Sequence, residues 1–245
     1  MKTATTIFIL CFLVFPFLQS CDSLDGKTVK GNYEIVHEKI AISDYNEIKL
    51  DLPAEVIYEQ ISYEEPFFQV SVDKNIYSHL DISVVNNCLV IKAKGDSVIQ
   101  PTRFTILTNS KNLQKVNLNG TGDLVMKRQV NAPKMEITVA GTGSLKADSL
   151  YCENISVNIT GTGSAKIQGA ATYAKFKIQG TGSINAFDYL SEQSESSILG
   201  TGNIETYVHN TLKAEVKGTG NIRYKGNPES VVSDRTGTGK IEKVN

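Results

Sequence analysis

The sequence predicts an all-β protein, a parallel β-helix in which short coils of strand stack on one another. The tripeptide Gly-Thr-Gly occurs seven times, at spacings of 21, 20, 19, 20, 18 and 19 residues. A fixed period near twenty residues is typical of repeated units that bury their apolar faces only by stacking. Side chains beside each tripeptide alternate between apolar and polar, as in Ile155-Ser-Val-Asn-Ile159, which is the period of a strand. Each repeat is therefore predicted to be a strand, a tight corner and a second strand.

Both glycines of the tripeptide are predicted to be structural turn residues. A sharp corner often requires a positive φ angle, and a corner stacked directly on another leaves little space for a Cβ atom. Aliphatic residues two positions before and two positions after the tripeptides are predicted to form inward columns and one continuous core. The fourteen glycines are Gly120, Gly122, Gly141, Gly143, Gly161, Gly163, Gly180, Gly182, Gly200, Gly202, Gly218, Gly220, Gly237 and Gly239.

Residues 1–20 have the pattern of an export signal. An apolar run from Ile7 to Leu18 follows Lys2 and is too short to span a membrane as a helix. The sequence Leu18-Gln-Ser-Cys21 resembles the lipobox of bacterial lipoproteins, which implies cleavage before Cys21 and attachment of lipid to its thiol. The alternative is a plain signal peptide that leaves Cys21 unmodified. We expect an exported protein anchored by lipid to the bacterial envelope, in the outer membrane, on its periplasmic or its cell-surface face.

The remaining chain divides into a tether and a folded body. Residues 21–32 are polar and contain Gly26 and Gly31, which favours a flexible tether. Residues 33–245 form the body, in which 33–116 show strands with a loose period and 117–245 hold the regular repeats. The irregular part is placed to cover the open end of the core, and one continuous body is favoured because no linker separates the two parts. Within it, Asp73 to His79 predict a short helical turn capped by Asp73.

Composition excludes some classes of function. A formal net charge of −1 provides no basic surface for nucleic acid. Cys88 and Cys152 are the cysteines left after Cys11 and Cys21 are assigned to the signal and the anchor, and two unpaired thiols are favoured over a disulfide. His37, His79 and His209 are widely separated and have no metal-ligand spacing, so neither a metal nor a cofactor is expected.

The chain resembles the head GIN domain family of auto-transporter adhesins, common in lipoproteins of Bacteroidetes. The resemblance rests on Ile48-Lys-Leu-Asp-Leu-Pro-Ala-Glu-Val56, on Val72-Asp-Lys-Asn75 and on the repeated Gly-Thr-Gly-[Ser/Asn]-Ile, and it covers about residues 35–244. It implies a right-handed β-helix with the glycines at the tight turn, a trimeric homo-oligomer and a role in adhesion.

Four tyrosines of the less regular connections are a candidate contact patch for a host or cell-surface glycan or protein. They are Tyr151, Tyr173, Tyr189 and Tyr207, and they lie at variable distances from the glycines. A shared edge would let them stack on sugars or contact a protein. Filling of the core at a wide turn is the favoured alternative, because tyrosine is often partly buried.

The sequence therefore predicts a non-enzymatic envelope lipoprotein that presents a repetitive polar surface for adhesion or assembly. One alternative is a polysaccharide lyase or hydrolase, for which Lys146 with Lys166, or Glu205 with Arg223, would be neighbours on successive coils. Ordinary solvated ladder positions explain these residues equally well. The other alternative is a structural or sensory envelope protein that acts by oligomerisation.

Overall fold

The computed structural model describes residues 28–245, so the signal and Cys21 lie outside the described residues. These residues form strands and one short helix, α1 (Lys74–Tyr77). The strands are β1 (Thr28–Lys30), β2 (Ile35–Ala41), β3 (Glu47–Leu50), β4 (Glu55–Gln60), β5 (Phe67–Asp73), β6 (Leu80–Val85), β7 (Cys88–Ala93), β8 (Val98–Gln100), β9 (Phe104–Ser110), β10 (Lys115–Gly120), β11 (Asp123–Met126), β12 (Val130–Gly141), β13 (Ser144–Gly161), β14 (Ser164–Gly180), β15 (Ser183–Gly200), β16 (Asn203–Gly218), β17 (Asn221–Lys225), β18 (Ser230–Gly237) and β19 (Lys240–Lys243).

The strands wind into a β-solenoid of about six turns, which confirms the predicted all-β β-helix. Equivalent strands of successive coils pair in parallel, and residues at the same distance before the corner face each other. Ile137, for example, pairs with Val157, which pairs with Phe176. These side chains are fully buried, and the inward columns form one hydrophobic core.

Hydrogen bonds between successive corners hold the coils at a fixed register. The carbonyl oxygen of the first glycine accepts hydrogen bonds from the threonine and the second glycine of the next corner. Gly161 O accepts from Thr181 N at 2.9 Å and from Gly182 N at 3.0 Å. Because this contact recurs from coil to coil, the backbone groups of the corner are satisfied without side chains.

The two glycines of a corner are required for different reasons. The first glycine has a positive φ, 127° at Gly180, and a Cβ added there would lie 2.5 Å from Gly161 O. The second glycine lacks the positive φ expected from the sequence. A Cβ added at Gly202 would nevertheless lie 2.6 Å from Gly182 O, so this position requires only the absence of a side chain.

The parallel stack begins before the first Gly-Thr-Gly. Strands β3 and β4 pair in parallel with β10 and β11, and on their other edges with β7 and β9. Their corner runs through Leu52 and Pro53 instead of glycines, which explains the loose period of this region. The core therefore continues from the regular repeats into the N-terminal part.

Antiparallel strands close the N-terminal end. Strand β6 pairs antiparallel with β7, and β5 pairs antiparallel with both β9 and β2. Helix α1 lies between β5 and β6 and buries Ile76. Reversal of strand direction ends the parallel stack at the place where the sequence predicts a covering element.

Asp73 acts differently from its predicted role as a helix cap. Its carboxylate makes no cap hydrogen bond to α1 and instead accepts hydrogen bonds from Tyr33 N (2.9 Å), Thr102 N (2.7 Å), Thr102 Oγ1 (2.7 Å) and Arg103 N (3.4 Å). Burial alone would raise the pKa of this carboxyl, but the hydrogen bonds outweigh burial and lower it. Asp73 thus connects the segment before β2, at Tyr33, to the loop before β9, at Thr102 and Arg103.

The folded body starts earlier than the predicted boundary at residue 33. Residues 28–30 form β1, which pairs in parallel with β8, and Gly31 N donates to Gln100 O at 2.9 Å. Residues 28–32, assigned from the sequence to the tether, therefore belong to the body, because their backbone groups bond to β8 and to the Asp73 region. Residues 21–27 lie outside the described residues.

The core contains a small polar cluster that the aliphatic columns did not predict. Ser194, Ser196 and Thr206 are buried, and Ser194 Oγ lies 3.3 Å from Ser196 Oγ and 3.4 Å from Thr206 Oγ1. Ser196 pairs with Phe176 of the preceding coil. A small residue beside a large one keeps the core filled without overpacking, and mutual hydrogen bonds satisfy the hydroxyls.

The corner geometry predicts that Gly180→Ala destabilises the protein by about 2–5 kcal/mol, because it combines a strained φ with a backbone clash. Gly95→Ala is the matched control, since Gly95 also has a positive φ, 57°, but nothing lies within 4 Å of an added Cβ. It should cost only about 1–2 kcal/mol. Urea unfolding followed by circular dichroism measures both losses; equal losses would contradict the steric argument.

The Asp73 network predicts a stability contribution that depends on pH. Because the folded-state pKa is lowered, the contribution is present above about pH 4 and is lost as the pH falls through the folded-state pKa. Asp73→Asn should cost about 2–4 kcal/mol at pH 7 and less at pH 3. Thermal unfolding at both pH values measures the difference. Asp81→Asn, which alters an exposed ion pair with Lys92 at 3.5 Å, is the control and should show little loss.

Candidate functional site

The structure separates the four tyrosines of the candidate patch. Tyr189 is 0% exposed and lies in the core, as the core-filling alternative expected. Tyr173 lies in another column, where its hydroxyl donates to Glu195 Oε2 at 2.8 Å. Tyr151 and Tyr207 do share an outward column. The proposed four-membered patch is therefore wrong as a unit, because successive connections place their tyrosines on different faces.

Two aliphatic residues complete the column of Tyr151 and Tyr207. Tyr151 pairs with Ala170, Ala170 pairs with Leu190, and Leu190 pairs with Tyr207. Tyr151, Leu190 and Tyr207 are exposed. We call Tyr151, Ala170, Leu190 and Tyr207 the apolar stripe.

Leu190 could not be assigned to the stripe by counting residues from the glycines. Register shifts separate the corner from this connection, between Ala186 and Leu190 in β15 and between Lys166 and Gln168 in β14. Each shift changes the number of residues between the corner and the outward position. The exposure of Leu190 is known only from the structure, so the sequence offers no signal for this position.

Tyr189 fills the space above a glycine. It pairs with Gly169, whose φ is 132° and where an added Cβ would meet Leu150 O. Its hydroxyl lies beside the Cys152 thiol and has no hydrogen-bond partner with acceptable geometry among residues 28–245. Burial raises the pKa of the Tyr189 phenol, which therefore stays protonated.

A shallow pocket of about 280 Å³ opens beside the apolar stripe. It is lined by Tyr151, Cys152, Ala170, Ala171, Thr172, Leu190 and Glu192. Cys88 and Cys152 are both free thiols. Burial raises the pKa of Cys152 to about 11, so the thiol is neutral at physiological pH and is a poor nucleophile.

A larger cavity of about 650 Å³ runs along the outward face after the corner, over the last coils. We call it the polar groove. Its lining residues come from β15, β16, β17 and β19: Ser183, Ile184, Asn185, Asn203, Glu205, Asn221, Arg223, Lys240 and Glu242. The polar lining side chains point outward because strand alternation turns Ile184, Ile204 and Ile222 into the core.

Charged and amide groups of the polar groove are paired along the stack. Arg223 forms an ion pair with Glu205 and is also in register with Glu242 of the last coil. Asn221 Nδ2 donates to Asn203 Oδ1 at 3.1 Å, and Asn221 Oδ1 accepts from Lys240 N at 3.2 Å. The groove thus offers donors and acceptors side by side on a rigid sheet.

An aromatic rim borders the polar groove. Lys225 Nζ lies 4.8 Å and the Arg223 guanidinium 5.8 Å from the ring centroid of Phe187. Glu205 and Tyr207 are two positions apart in β16 and therefore point to the same face. Tyr207 consequently joins the groove to the apolar stripe, and the two form one continuous surface.

The pairing of charges favours binding over acid–base catalysis. Lys146 pairs with Lys166 and Glu205 with Arg223, as the sequence predicted, but Lys146 Nζ also bonds Asp148 at 2.8 Å. A glycosidase uses a pair of carboxyl groups that flank the bond to be cleaved, whereas the Glu205 carboxylate is engaged in an ion pair with Arg223. On a neighbouring face, hydrogen bonding by Tyr173 lowers the pKa of Glu195.

His37 and His209 lie on different strands of the fold. Within the described range, no three His, Cys, Asp or Glu side chains are grouped closely enough to hold a metal ion. His37 Nδ1 lies 2.8 Å from Ser71 Oγ on the N-terminal sheet, whereas His209 lies on β16. No helix among residues 28–245 is long and apolar enough to cross a membrane.

The family model described as "Putative auto-transporter adhesin, head GIN domain" matches residues 44–228. The match spans β3 through β17 and includes six of the seven Gly-Thr-Gly corners. The chain belongs to the head GIN domain family. Comparison with curated proteins gives no match.

Solved structures of similar proteins share this head GIN fold. A "putative adhesin" from Parabacteroides distasonis is 31% identical, with 89% of this chain and 100% of that chain covered and a TM-score of 0.74. A "putative lipid binding protein" from the same species is 29% identical, with 89% and 100% covered and a TM-score of 0.77. A "putative adhesin" from Bacteroides fragilis is 22% identical, with 88% and 100% covered and a TM-score of 0.82, and shows the fold alone.

The burial of Tyr189 predicts opposite effects for two substitutions in this head GIN protein. Tyr189→Phe removes a hydroxyl without a good partner and should leave the free energy of unfolding unchanged or raise it by about 1 kcal/mol. Tyr189→Ser empties the space above Gly169 and should cost about 3–5 kcal/mol. Urea unfolding checks both, with Tyr151→Ser as the exposed control. A clear loss in Tyr189→Phe would show that the hydroxyl is bonded.

Proposed function

We propose that the protein is a non-enzymatic, lipid-anchored envelope protein of adhesin type that binds a glycan through the polar groove and its aromatic rim. The observation that carries the proposal is the combination of a 650 Å³ groove with paired amide, carboxylate and guanidinium groups and an adjoining aromatic border. Membership of the head GIN family supports an adhesin-like role.

The chemistry of the groove fits a polyhydroxylated ligand. A sugar hydroxyl both donates and accepts, so it can bridge neighbouring groups such as the Asn203 amide and the Glu205 carboxylate. Arg223 adds several N–H donors in the fixed, planar geometry of a guanidinium group. The apolar C–H face of a sugar ring can lie against Phe187 or Tyr207 while its hydroxyls face the polar side chains. A rigid sheet presents these groups without the entropic cost of ordering a loop.

The position of the groove suits a protein tethered at its N-terminus. Only residues 22–27 separate the proposed lipidated Cys21 from Thr28, where the described fold begins. A fully extended link between these two residues spans about 25 Å at most. The N-terminal end would therefore stay near the membrane, and the polar groove would lie at the other end of the solenoid, away from the anchor.

A second candidate function is binding of lipid by the apolar stripe. The pocket of about 280 Å³ is lined in part by the apolar side chains of Ala170, Ala171 and Leu190. One relative with 29% identity is described as a "putative lipid binding protein". The pocket beside the apolar stripe is shallow and encloses little of an acyl chain. The polar groove is therefore the better-supported site.

Binding to a glycan array by the purified full-length protein in detergent tests the proposal. Arg223→Ala should weaken binding of the selected glycan by about 10-fold or more, because it removes charged hydrogen bonds. Arg128→Ala is the matched control, since Arg128 forms an exposed ion pair with Glu59 at 3.2 Å outside the groove. Equal affinities of the two variants and wild type for every bound glycan would contradict the assignment of the groove.

Two further pairs of variants test the role of the aromatic rim and the alternative of lipid binding. Tyr207→Ser should weaken glycan binding, whereas Tyr63→Ser, in an exposed loop, should not. Leu190→Ser is compared with Leu199→Ser for binding to phosphatidylethanolamine vesicles containing phosphatidylglycerol, each protein first having its own anchor removed by Cys21→Ser. If Leu190→Ser but not Leu199→Ser lost vesicle binding, and the protein bound no glycan, lipid binding would replace glycan binding as the proposed function.

A further inference from the structure

The last coil of the solenoid has an open edge. Among residues 28–245, β18 pairs only with β16, and β19 pairs only with β17. Every residue of β18 is exposed. Backbone N–H and C=O groups on the outer side of both strands therefore face no further strand, and such an edge is a template for pairing with another chain.

One half of this edge is protected by charge. Arg235 follows Val216 in an inward column, and its Nη1 donates to Gly239 O at 3.1 Å across the end of the core. Asp234, Lys240, Glu242 and Lys243 occupy the same half. Charges on an edge strand, particularly inward-pointing ones, disfavour addition of any strand that does not carry complementary groups. This half acts as the polar cap that the end of a solenoid requires.

The other half of the edge lacks this protection. Residues 230–233 are Ser-Val-Val-Ser and carry no charge. Val231 is 43% exposed although it continues the inward column above the buried Leu212, and Val232 is 59% exposed. A continued core column that ends on an exposed valine leaves apolar area that one more strand would cover.

We propose that β18 pairs antiparallel with β18 of a second copy of this chain, around a two-fold axis at Val232. A two-fold axis normal to this sheet keeps inward side chains opposite inward ones. Because side chains alternate along a strand, this is possible only when the axis passes between two copies of the same residue, on which the register is then centred. In the register centred on Val232, this residue lies opposite its own copy, and Ser230 lies opposite Asp234 of the second copy. Glu229 then lies opposite Arg235 of the second copy, and this opposite-charge pair forms twice.

Neighbouring registers are less favourable. Centring on Asp234 sets two aspartates opposite each other, which is destabilising. Centring on Ser233 places Val231 opposite Arg235 and Val232 opposite Asp234, whereas centring on Val231 gives no charge pair. The register at Val232 is therefore selected by the sequence of the edge itself. The pair is a rod of double length with the two N-terminal ends facing away from each other, in contrast to the trimer implied by the resemblance.

Disulfide trapping tests the contact directly in the full-length chain expressed in a bacterial envelope. At a two-fold axis the Cα atoms of the two copies of residue 232 would lie about 4.5–5.5 Å apart, within the range that a disulfide spans. Val232→Cys should therefore give a band of twice the monomer mass on a non-reducing gel. Leu199→Cys is the matched control, since Leu199 is 54% exposed but lies inside the stack on β15. It should remain monomeric, as should wild type with its natural cysteines.

Charge exchange tests the register. In the detergent-solubilised full-length protein, Glu229→Arg or Arg235→Glu should each raise the dimer dissociation constant by about 10-fold, measured by sedimentation. The double variant should restore the wild-type value, which separates a contact between copies from a local loss of the Arg235 cap. Equal trapping at positions 199 and 232, a solution mass of three or more chains, or a double variant no better than the single ones would overturn the proposal.

Discussion

The close approach of successive corners is the constraint on which the rest of the structure depends. Gly161 O, for example, receives N–H groups from the next corner at 2.9 and 3.0 Å, and added Cβ atoms at Gly180 or Gly202 would strike the carbonyl of the preceding coil. This contact fixes both the distance between coils and the register of their strands. Columns of inward aliphatic residues and columns of outward polar residues follow from that register, because each strand alternates from a common starting point.

Fixed columns also determine what kind of site the protein can build. Outward residues meet the equivalent residues of neighbouring coils about 4.8 Å away, so opposite charges such as Glu205 and Arg223 pair along the stack. Such pairing holds the groups in place along the stack, which suits recognition of a polar ligand. The irregular connections contribute the apolar element, since register shifts there bring Leu190 into line with Tyr207.

The two ends of the solenoid meet the problem of an exposed core in different ways. Antiparallel strands, α1 and the buried carboxylate of Asp73 close the N-terminal end within one chain. At the C-terminal end, Arg235 covers part of the opening, while Val231 and Val232 remain exposed. The asymmetry places a closed end beside the proposed membrane anchor and leaves the far end available for the proposed ligand and the proposed second copy.

The sequence alone determined the class of fold, the corners and the pairs Lys146–Lys166 and Glu205–Arg223. These pairs could be predicted because, beside a rigid corner, the number of residues from a glycine determines the face on which a side chain lies. Only the tertiary structure decided the fate of the four tyrosines, since register shifts break that equivalence and send Tyr189 into the core. It also decided the role of Asp73, whose partners Tyr33 and Thr102 lie 40 and 29 residues away. Local patterns carry no record of contacts between distant segments that follow no repeat.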